Sequence, residues 1–199
     1  MNPRIPESLM AVLRRVYPPE EPLEDRIIRT PQLDEVLRNA LPELEPKWDR
    51  LRAEVRKQWP GWGMWNITYL VLDPSFRLRL TAPSLPADIP QDPRIHWLTL
   101  VLMVSIIAPY HHLYIALERK EMRNGREKFG PSTLLQVRDE WPPSVRDDAW
   151  VLEEKTRAVM GTTQLPLDLL ETKVPYGELT SQQRNERTLG EYLFGTDWF

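Results

Sequence analysis

Three histidines are the first residues to consider as metal-binding or catalytic groups, because the chain contains no cysteine. Without cysteine, the sequence excludes disulfides, thiolate zinc sites and cysteine nucleophiles. Two of the histidines, His111 and His112, are adjacent, and His96 stands alone. Adjacent residues of a strand point to opposite faces, so the pair is not expected to chelate one ion. We therefore predict no metal site.

Serine, glycine and carboxylates do not occur in patterns typical of catalysis. No Gly-x-Ser-x-Gly elbow is present, and Ser105 lies in an apolar run where we expect a hydrogen-bonded core hydroxyl. The Gly-Trp-Gly at 61–63 lacks the spacing of a phosphate-binding loop. The residues therefore predict no catalytic residue and no cofactor. A Ser/His/Asp triad assembled from distant positions stays open as an alternative.

A basic cluster surrounds Asn124-Gly125, a dipeptide that strongly predicts a tight hairpin. Glu121 and Glu127 interrupt the cluster, and the whole chain has a formal charge of -3. A nucleic-acid-binding domain is usually clearly basic. We therefore interpret the cluster as a solvated turn and expect no nucleic-acid partner.

The elements that would position these residues begin with helices. Apolar residues recur at helical spacing over 9–16, over 33–40 and over 44–58. Thr30-Pro31 is a favourable helix start, with a capping hydroxyl and proline at the first helical position. Trp48 lies on the apolar face of the third segment, so we expect it to anchor that helix to the core.

The middle of the chain changes to the two-residue period of strands. Residues 66–72 and 76–80 predict an antiparallel hairpin. The run 97–108 is apolar on both alternating faces, which indicates a central strand covered on both sides. Further strands are predicted over 113–117 and 134–137.

The last sixty residues turn helical again. Ser144 and Asp147 have the spacing of a capping box, Gly161 stands where that helix would end, and a short turn is predicted over 188–194. Helices, strands and helices in this order predict an α+β fold. We expect one domain over 1–199: an antiparallel sheet of about four to six strands, with helices from both ends of the chain packed on it. In this scheme residues 1–60 are helical, 61–138 mainly strands, and 139–199 helical and loop.

Neither an export signal nor a membrane span is predicted. The N-terminal residues lead into an amphipathic stretch rather than an apolar one. The most hydrophobic run, 97–108, is too short to cross a bilayer. We therefore expect no membrane association and a cytoplasmic location.

Three segments carry a resemblance to a known class of proteins. Residues 104–110 (Val-Ser-Ile-Ile-Ala-Pro-Tyr) resemble a strand and turn of small bacterial immunity-type proteins from toxin–immunity systems. Residues 165–175 and 188–194 (Thr-Leu-Gly-Glu-Tyr-Leu-Phe) are similar to the C-terminal segment of those proteins. The resemblance covers about a third of the chain. It implies a cytoplasmic α+β protein that neutralises a cognate toxin by binding it, without catalysis or cofactor.

The sequence also offers a candidate surface for such a partner. Residues 139–199 are net acidic, and two of their tryptophans, Trp141 and Trp150, stand beside carboxylates. Aromatic anchors within a polar rim dominate interface energies, and an acidic surface suits a basic partner. The predicted contact residues are Asp139, Glu140, Trp141, Asp147, Asp148, Trp150 and Glu154. The alternatives are an enzyme with a dispersed active site, and a structural or assembly protein of a phage or secretion system.

Overall fold

The computed structural model describes most of the chain, and the fold is drawn from that part. It covers residues 3–18, 29–70, 73–89, 92–123, 126–129, 132–175 and 187–195. The described helices are α1 (Glu7–Val16), α2 (Pro31–Gln58), α3 (Pro143–Met160), α4 (Leu167–Leu170) and α5 (Leu189–Phe194). The strands are β1 (Gly63–Asn66), β2 (Ser75–Thr81), β3 (Ile95–Ser105), β4 (Tyr110–Arg123), β5 (Arg126–Phe129), β6 (Thr133–Leu135) and β7 (Thr163–Gln164).

The strands form one mostly antiparallel sheet in the order β1-β2-β3-β4-β5. β6 also pairs antiparallel with β4, and the two-residue β7 pairs parallel with it. Helices from both ends of the chain pack on this sheet, which confirms the predicted α+β fold. None of the described helices is long and apolar enough to cross a membrane.

β3 is the central strand, as the apolar run predicted. It lies between β2 and β4, and its residues 98 to 105 are all buried. Its inner-face residues are aligned with apolar neighbours, since Leu102 faces Leu78 on one side and Leu113 on the other. The strand ends at Ser105, because the chain turns through residues 106–109 before β4 begins.

α2 is one helix of 28 residues, where the sequence predicted two. Pro42 and Pro46 lie inside it, and both are exposed. An internal proline removes one backbone hydrogen bond and usually breaks a helix. Here the two prolines lie on the solvent side, and the buried residues on the other side keep one continuous apolar stripe. That stripe contains Leu33, Leu37, Trp48, Leu51 and Val55.

Several other boundaries differ from the prediction. β1 covers Gly63–Asn66 rather than 66–72, and residues 71–72 lie outside the described residues. α3 begins at Pro143, so Ser144 is inside its first turn and is not the N-cap. Instead, Asp88, which lies in the loop between β2 and β3, accepts two hydrogen bonds from Ser144. One comes from the Ser144 amide at 3.0 Å and the other from its hydroxyl at 2.6 Å. A distant carboxylate therefore caps this helix.

Other local signals are confirmed. Thr30 caps α2 by accepting from the Leu33 amide at 3.0 Å. Gly161 ends α3 as predicted. The short turn predicted over 188–194 is a helix, α5, and Thr188 with Glu191 forms a capping box at its start. Asn124-Gly125 lies outside the described residues, but Arg123 and Arg126 on either side are paired as a two-residue hairpin requires.

Trp48 is the anchor of α2 on the inner face of the sheet. Its ring stacks on Phe76 of β2 with centroids 5.1 Å apart, and its side chain is 3% exposed. We expect Trp48→Ala to lower the free energy of unfolding by about 3–5 kcal/mol, because it removes a buried aromatic ring and leaves a cavity. Urea denaturation monitored by circular dichroism measures this loss. Trp150→Ala is the control, since Trp150 is 57% exposed and its loss should cost under about 0.5 kcal/mol. A loss below about 1 kcal/mol for Trp48→Ala would contradict this packing.

Candidate functional site

The outer face of the sheet is closed at one end. Outer face here means the side of Arg77 and Arg79, opposite the side on which α2 packs. At the closed end, Arg77 is 7% exposed and forms an ion pair with Asp73 at 3.1 Å. Its guanidinium and the Ser75 hydroxyl both donate to the Phe194 carbonyl at the end of α5. The C-terminal helix is therefore held over this half of the sheet.

The close approach at Phe194 requires the glycine that follows it. Gly195 has φ of +99°, in the region that side chains rarely adopt. A Cβ there would lie 1.9 Å from the Asp73 carboxylate. Glycine is thus needed for the chain to leave α5 beside the Arg77–Asp73 pair.

The other half of the outer face is open. It forms a shallow groove of about 640 Å³ with two tryptophans and an isoleucine among polar groups. We call this surface the aromatic sheet face. It is lined by Trp65, Ile67, Arg79, Thr81, Trp97, Glu118 and Ser132.

Trp65 is the most prominent side chain of the aromatic sheet face. Its side chain is 54% exposed, and Ile67 is 40% exposed. The indole lies against the backbone of Gly63, where a Cβ would be only 2.5 Å from the ring. Glycine at this position lets the ring lie flat on its own strand. Trp65 is therefore positioned before any ligand arrives.

The charged groups of the aromatic sheet face are paired with each other. Arg79 forms an ion pair with Glu118, which stands opposite Trp97 in the strand register. The Lys120 ammonium lies 5.1 Å from the Trp97 ring centroid, within cation–π range. Beneath them, burial raises the pKa of Tyr114 to about 12, so this phenol stays protonated at neutral pH. The surface combines apolar rings with fixed, mutually neutralised polar groups, which suits binding rather than proton transfer.

The structure divides the acidic surface predicted from the sequence. Trp141 is 3% exposed, and its indole N–H donates to the Leu135 carbonyl at 2.9 Å. Asp148 accepts from the Trp59 indole at 2.7 Å and joins α3 to the end of α2. Both side chains therefore form contacts within the fold. Trp141 is buried and cannot contact a partner, contrary to the prediction.

The other predicted contact residues lie in two places. Asp139 and Glu140 are exposed along a groove of about 550 Å³ that also contains Arg146. On α3, Asp147 and Trp150 are exposed, and Glu154 forms an ion pair with Arg157. We call Asp147 and Trp150, which are exposed, together with the half-buried Glu154 the helix surface. It has one aromatic side chain, whereas the aromatic sheet face has two.

The sequence analysis missed the aromatic sheet face. Trp65 fell just before the predicted hairpin, and Trp97 was placed inside a buried strand. One signal was present: residues 61–72 contain no charged residue, in a chain of which 28% is charged. Such a stretch can be a core strand or an exposed binding edge, and only the sheet order distinguishes them.

The adjacent histidines are buried on opposite faces, as strand geometry predicts. The Nδ1 atom of His111 lies 2.9 Å from the Thr162 hydroxyl, and that of His112 lies 3.2 Å from the Gln164 amide. Burial lowers the pKa of His111 to about 4 and that of His112 to about 3. Both rings are thus neutral at physiological pH and have no contact with solvent.

Ser105 is buried as expected but is not hydrogen-bonded as expected. Its hydroxyl has no hydrogen-bond partner among the described residues, so no described base activates it. Within the same part of the chain, no group of three or more histidine, aspartate or glutamate residues is placed to hold a metal ion.

The buried histidines predict how stability depends on pH. In the unfolded chain a histidine titrates near 6.5. The unfolded state therefore binds more protons than the folded state between pH 6.5 and about 4, and stability should fall as pH falls through this range. His112→Gln should flatten the dependence of melting temperature on pH over 6.5–4. His96→Gln, at an exposed histidine, should leave the slope unchanged. An unchanged slope in His112→Gln would contradict the burial of a neutral ring.

Comparisons with known proteins supply no family for this chain. No family model, no curated protein and no solved structure matches it. A functional assignment therefore depends on the chemistry of the described surfaces. Among them, the aromatic sheet face combines two tryptophans, Trp65 and Trp97, on strands of one sheet.

Proposed function

We propose that this chain is a non-enzymatic, immunity-type binding protein that neutralises a cognate bacterial toxin by direct protein–protein contact. The observation that carries the proposal is the aromatic sheet face, where Trp65 on β1 and Ile67 directly after β1 are exposed rather than packed in the core. The resemblance of residues 104–110, 165–175 and 188–194 to immunity-type proteins supports the same assignment. The proposal includes a cytoplasmic location.

The composition of the aromatic sheet face is that of a protein interface. Exposed tryptophans on a rigid strand provide anchors with little conformational entropy to lose. The Arg79–Glu118 pair supplies polar groups within the groove, and its charges already neutralise each other. A partner can therefore bury this surface without leaving an unpaired charge in the interface.

Binding is better supported than the alternatives. An enzyme with a dispersed site would need titratable groups converging on a pocket. Asp139, Glu140 and Arg146 do share a groove, but both described buried histidines, His111 and His112, are neutral and lie outside it. A structural or assembly protein would also use a large interface, so the identity of the partner separates it from an inhibitor. The gene next to this one is the first place to seek that partner.

The helix surface is a second candidate for the same function. Trp150 is 57% exposed and stands beside the carboxylates of α3. An acidic rim around one tryptophan would suit a basic partner and accelerate association at low salt. The two exposed tryptophans, Trp65 and Trp150, therefore mark two surfaces that can be tested against each other.

The experiment is titration calorimetry with the protein encoded by the adjacent gene, combined with rescue of growth on co-expression. Trp65→Ala should weaken binding by about thirty-fold or more, the effect of removing a hot-spot anchor of roughly 2 kcal/mol. Trp150→Ala has nearly the same exposure and should leave affinity within about three-fold. Melting temperatures of both variants should match that of the parent.

Two results would contradict the proposal. If the adjacent gene product neither binds the chain nor is neutralised by it on co-expression, the proposed immunity function is wrong. Loss of binding in Trp150→Ala, with full affinity in Trp65→Ala, would retain the function and move the interface to the helix surface.

A further inference from the structure

β1 is the edge strand of the sheet, next to the aromatic sheet face. It is the first strand in the sheet order and pairs with β2 on one side. No described strand pairs with its other side. An edge of this kind presents backbone donors and acceptors that can receive another strand.

The backbone register identifies which groups face outward. The Ile67 amide donates to the Arg77 carbonyl at 3.1 Å, so the odd-numbered residues of this strand bond toward β2. Hydrogen-bonded and non-hydrogen-bonded pairs alternate along an antiparallel ladder. The N–H and C=O groups of Met64 and Asn66 therefore point away from β2, toward the open edge.

This edge lacks the devices that usually protect one. Natural edge strands carry charged residues, prolines or bulges that prevent pairing with another chain. Residues 61–72 contain neither a charged residue nor a proline. The register of β1 with β2 is also regular over all four pairs, without a bulge. The edge is thus suited to pairing.

The two sides of the β1 edge differ in chemistry. On the outer side lie the apolar side chains of Trp65 and Ile67. On the inner side, a groove of about 490 Å³ lies between α2 and the end of β1 with the residues that follow it, and Glu45, Asp49 and Arg52 are on its α2 wall. Asp49 is paired with Arg52 at 2.9 Å, whereas Glu45 is exposed and forms no ion pair with any described residue. The inner side therefore has one carboxylate, that of Glu45, whose charge no described residue neutralises.

We propose that β1 receives an extended segment of the partner protein by strand addition. Successive side chains of an added strand point to opposite sides. The side chains of the added strand on the outer side, next to Trp65 and Ile67, would be apolar. Its side chains on the inner side, next to Glu45, would be basic. The added segment is thus a strand in which apolar residues alternate with lysine or arginine. This inference rests on the proposed function and names the feature of the partner that is recognised.

A second copy of this chain fits the edge less well. Pairing of two β1 edges would place residues 63–69 of one copy beside Glu45 of the other. That segment has no basic side chain to meet the carboxylate. Charge complementarity therefore favours a foreign basic strand over self-association.

The test uses the full chain and synthetic eight-residue peptides of alternating valine and lysine. The fluorescein-labelled peptide should bind in an anisotropy titration and protect residues 63–67 from hydrogen exchange. The same peptide with glutamate in place of lysine should bind at least ten-fold more weakly. A lysine peptide N-methylated along one edge should lose binding, because it cannot form the backbone ladder.

Matched variants of the chain test the charge. Glu45→Lys should weaken binding of the lysine peptide at least ten-fold. Glu35→Lys, at an exposed carboxylate nearer the start of α2, should bind like the parent. Equal binding of the lysine and glutamate peptides, or full binding by the N-methylated peptide, would overturn strand addition. A dimer in light scattering that Trp65→Lys dissociates would also overturn it, by assigning the edge to a second copy.

The outcome can be separated from that of the proposed function. If the adjacent gene product binds the chain and the lysine peptide at millimolar concentration does not displace it, strand addition is wrong and the binding function stands. If the peptide binds but the adjacent gene product does not, the edge is competent and the proposed partner is wrong.

Discussion

The buried Arg77 guanidinium decides which half of the outer sheet face is closed. It is ion-paired with Asp73 and donates to the last carbonyl of α5, so the C-terminal helix is held over one end of the sheet. β3 and β4 need this cover, because Met103 and His112, which lie in the same register row as Arg77 on the outer face, are buried. A charge buried this deeply is tolerated only when it is paired, and removing a partner typically costs about 3–5 kcal/mol. The contact of Arg77 with α5 therefore covers one half of the outer sheet face and leaves the other half uncovered.

The uncovered half has the properties of a docking surface because it is rigid and unprotected. Trp65 is held flat on Gly63, Arg79 is fixed by Glu118, and the neighbouring edge of β1 carries no charge. On the inner face of the sheet, α2 packs against these strands through Trp48, which stacks on Phe76. The geometry of the open surface is therefore fixed before a partner binds. Preorganised surfaces lose less entropy on binding. The helix surface around Trp150 is likewise on a stable element, but it lacks an adjoining strand edge.

Much of the fold could be predicted from sequence, because burial depends on local patterns. The apolar run at 97–108 located the central strand, and the spacing of Trp48 identified a core anchor. The long α2 could not be predicted, since the tolerance of Pro42 and Pro46 depends on which side of the helix faces solvent. The candidate site was harder still. The burial of Trp141 and the use of Asp148 by Trp59 depend on contacts between distant elements, and neither residue carries a local signal of them. The exposure of Trp65 depends on the position of β1 at the edge of the sheet, which only the strand order shows.

Hydrogen–deuterium exchange on the complex with the adjacent gene product tests the central claim most directly, namely that the partner binds the open sheet face at β1. The claim predicts that amides of residues 63–67 become protected on binding while those of α3 exchange as in the free chain. Protection confined to α3, with unchanged exchange over residues 63–67, would contradict it.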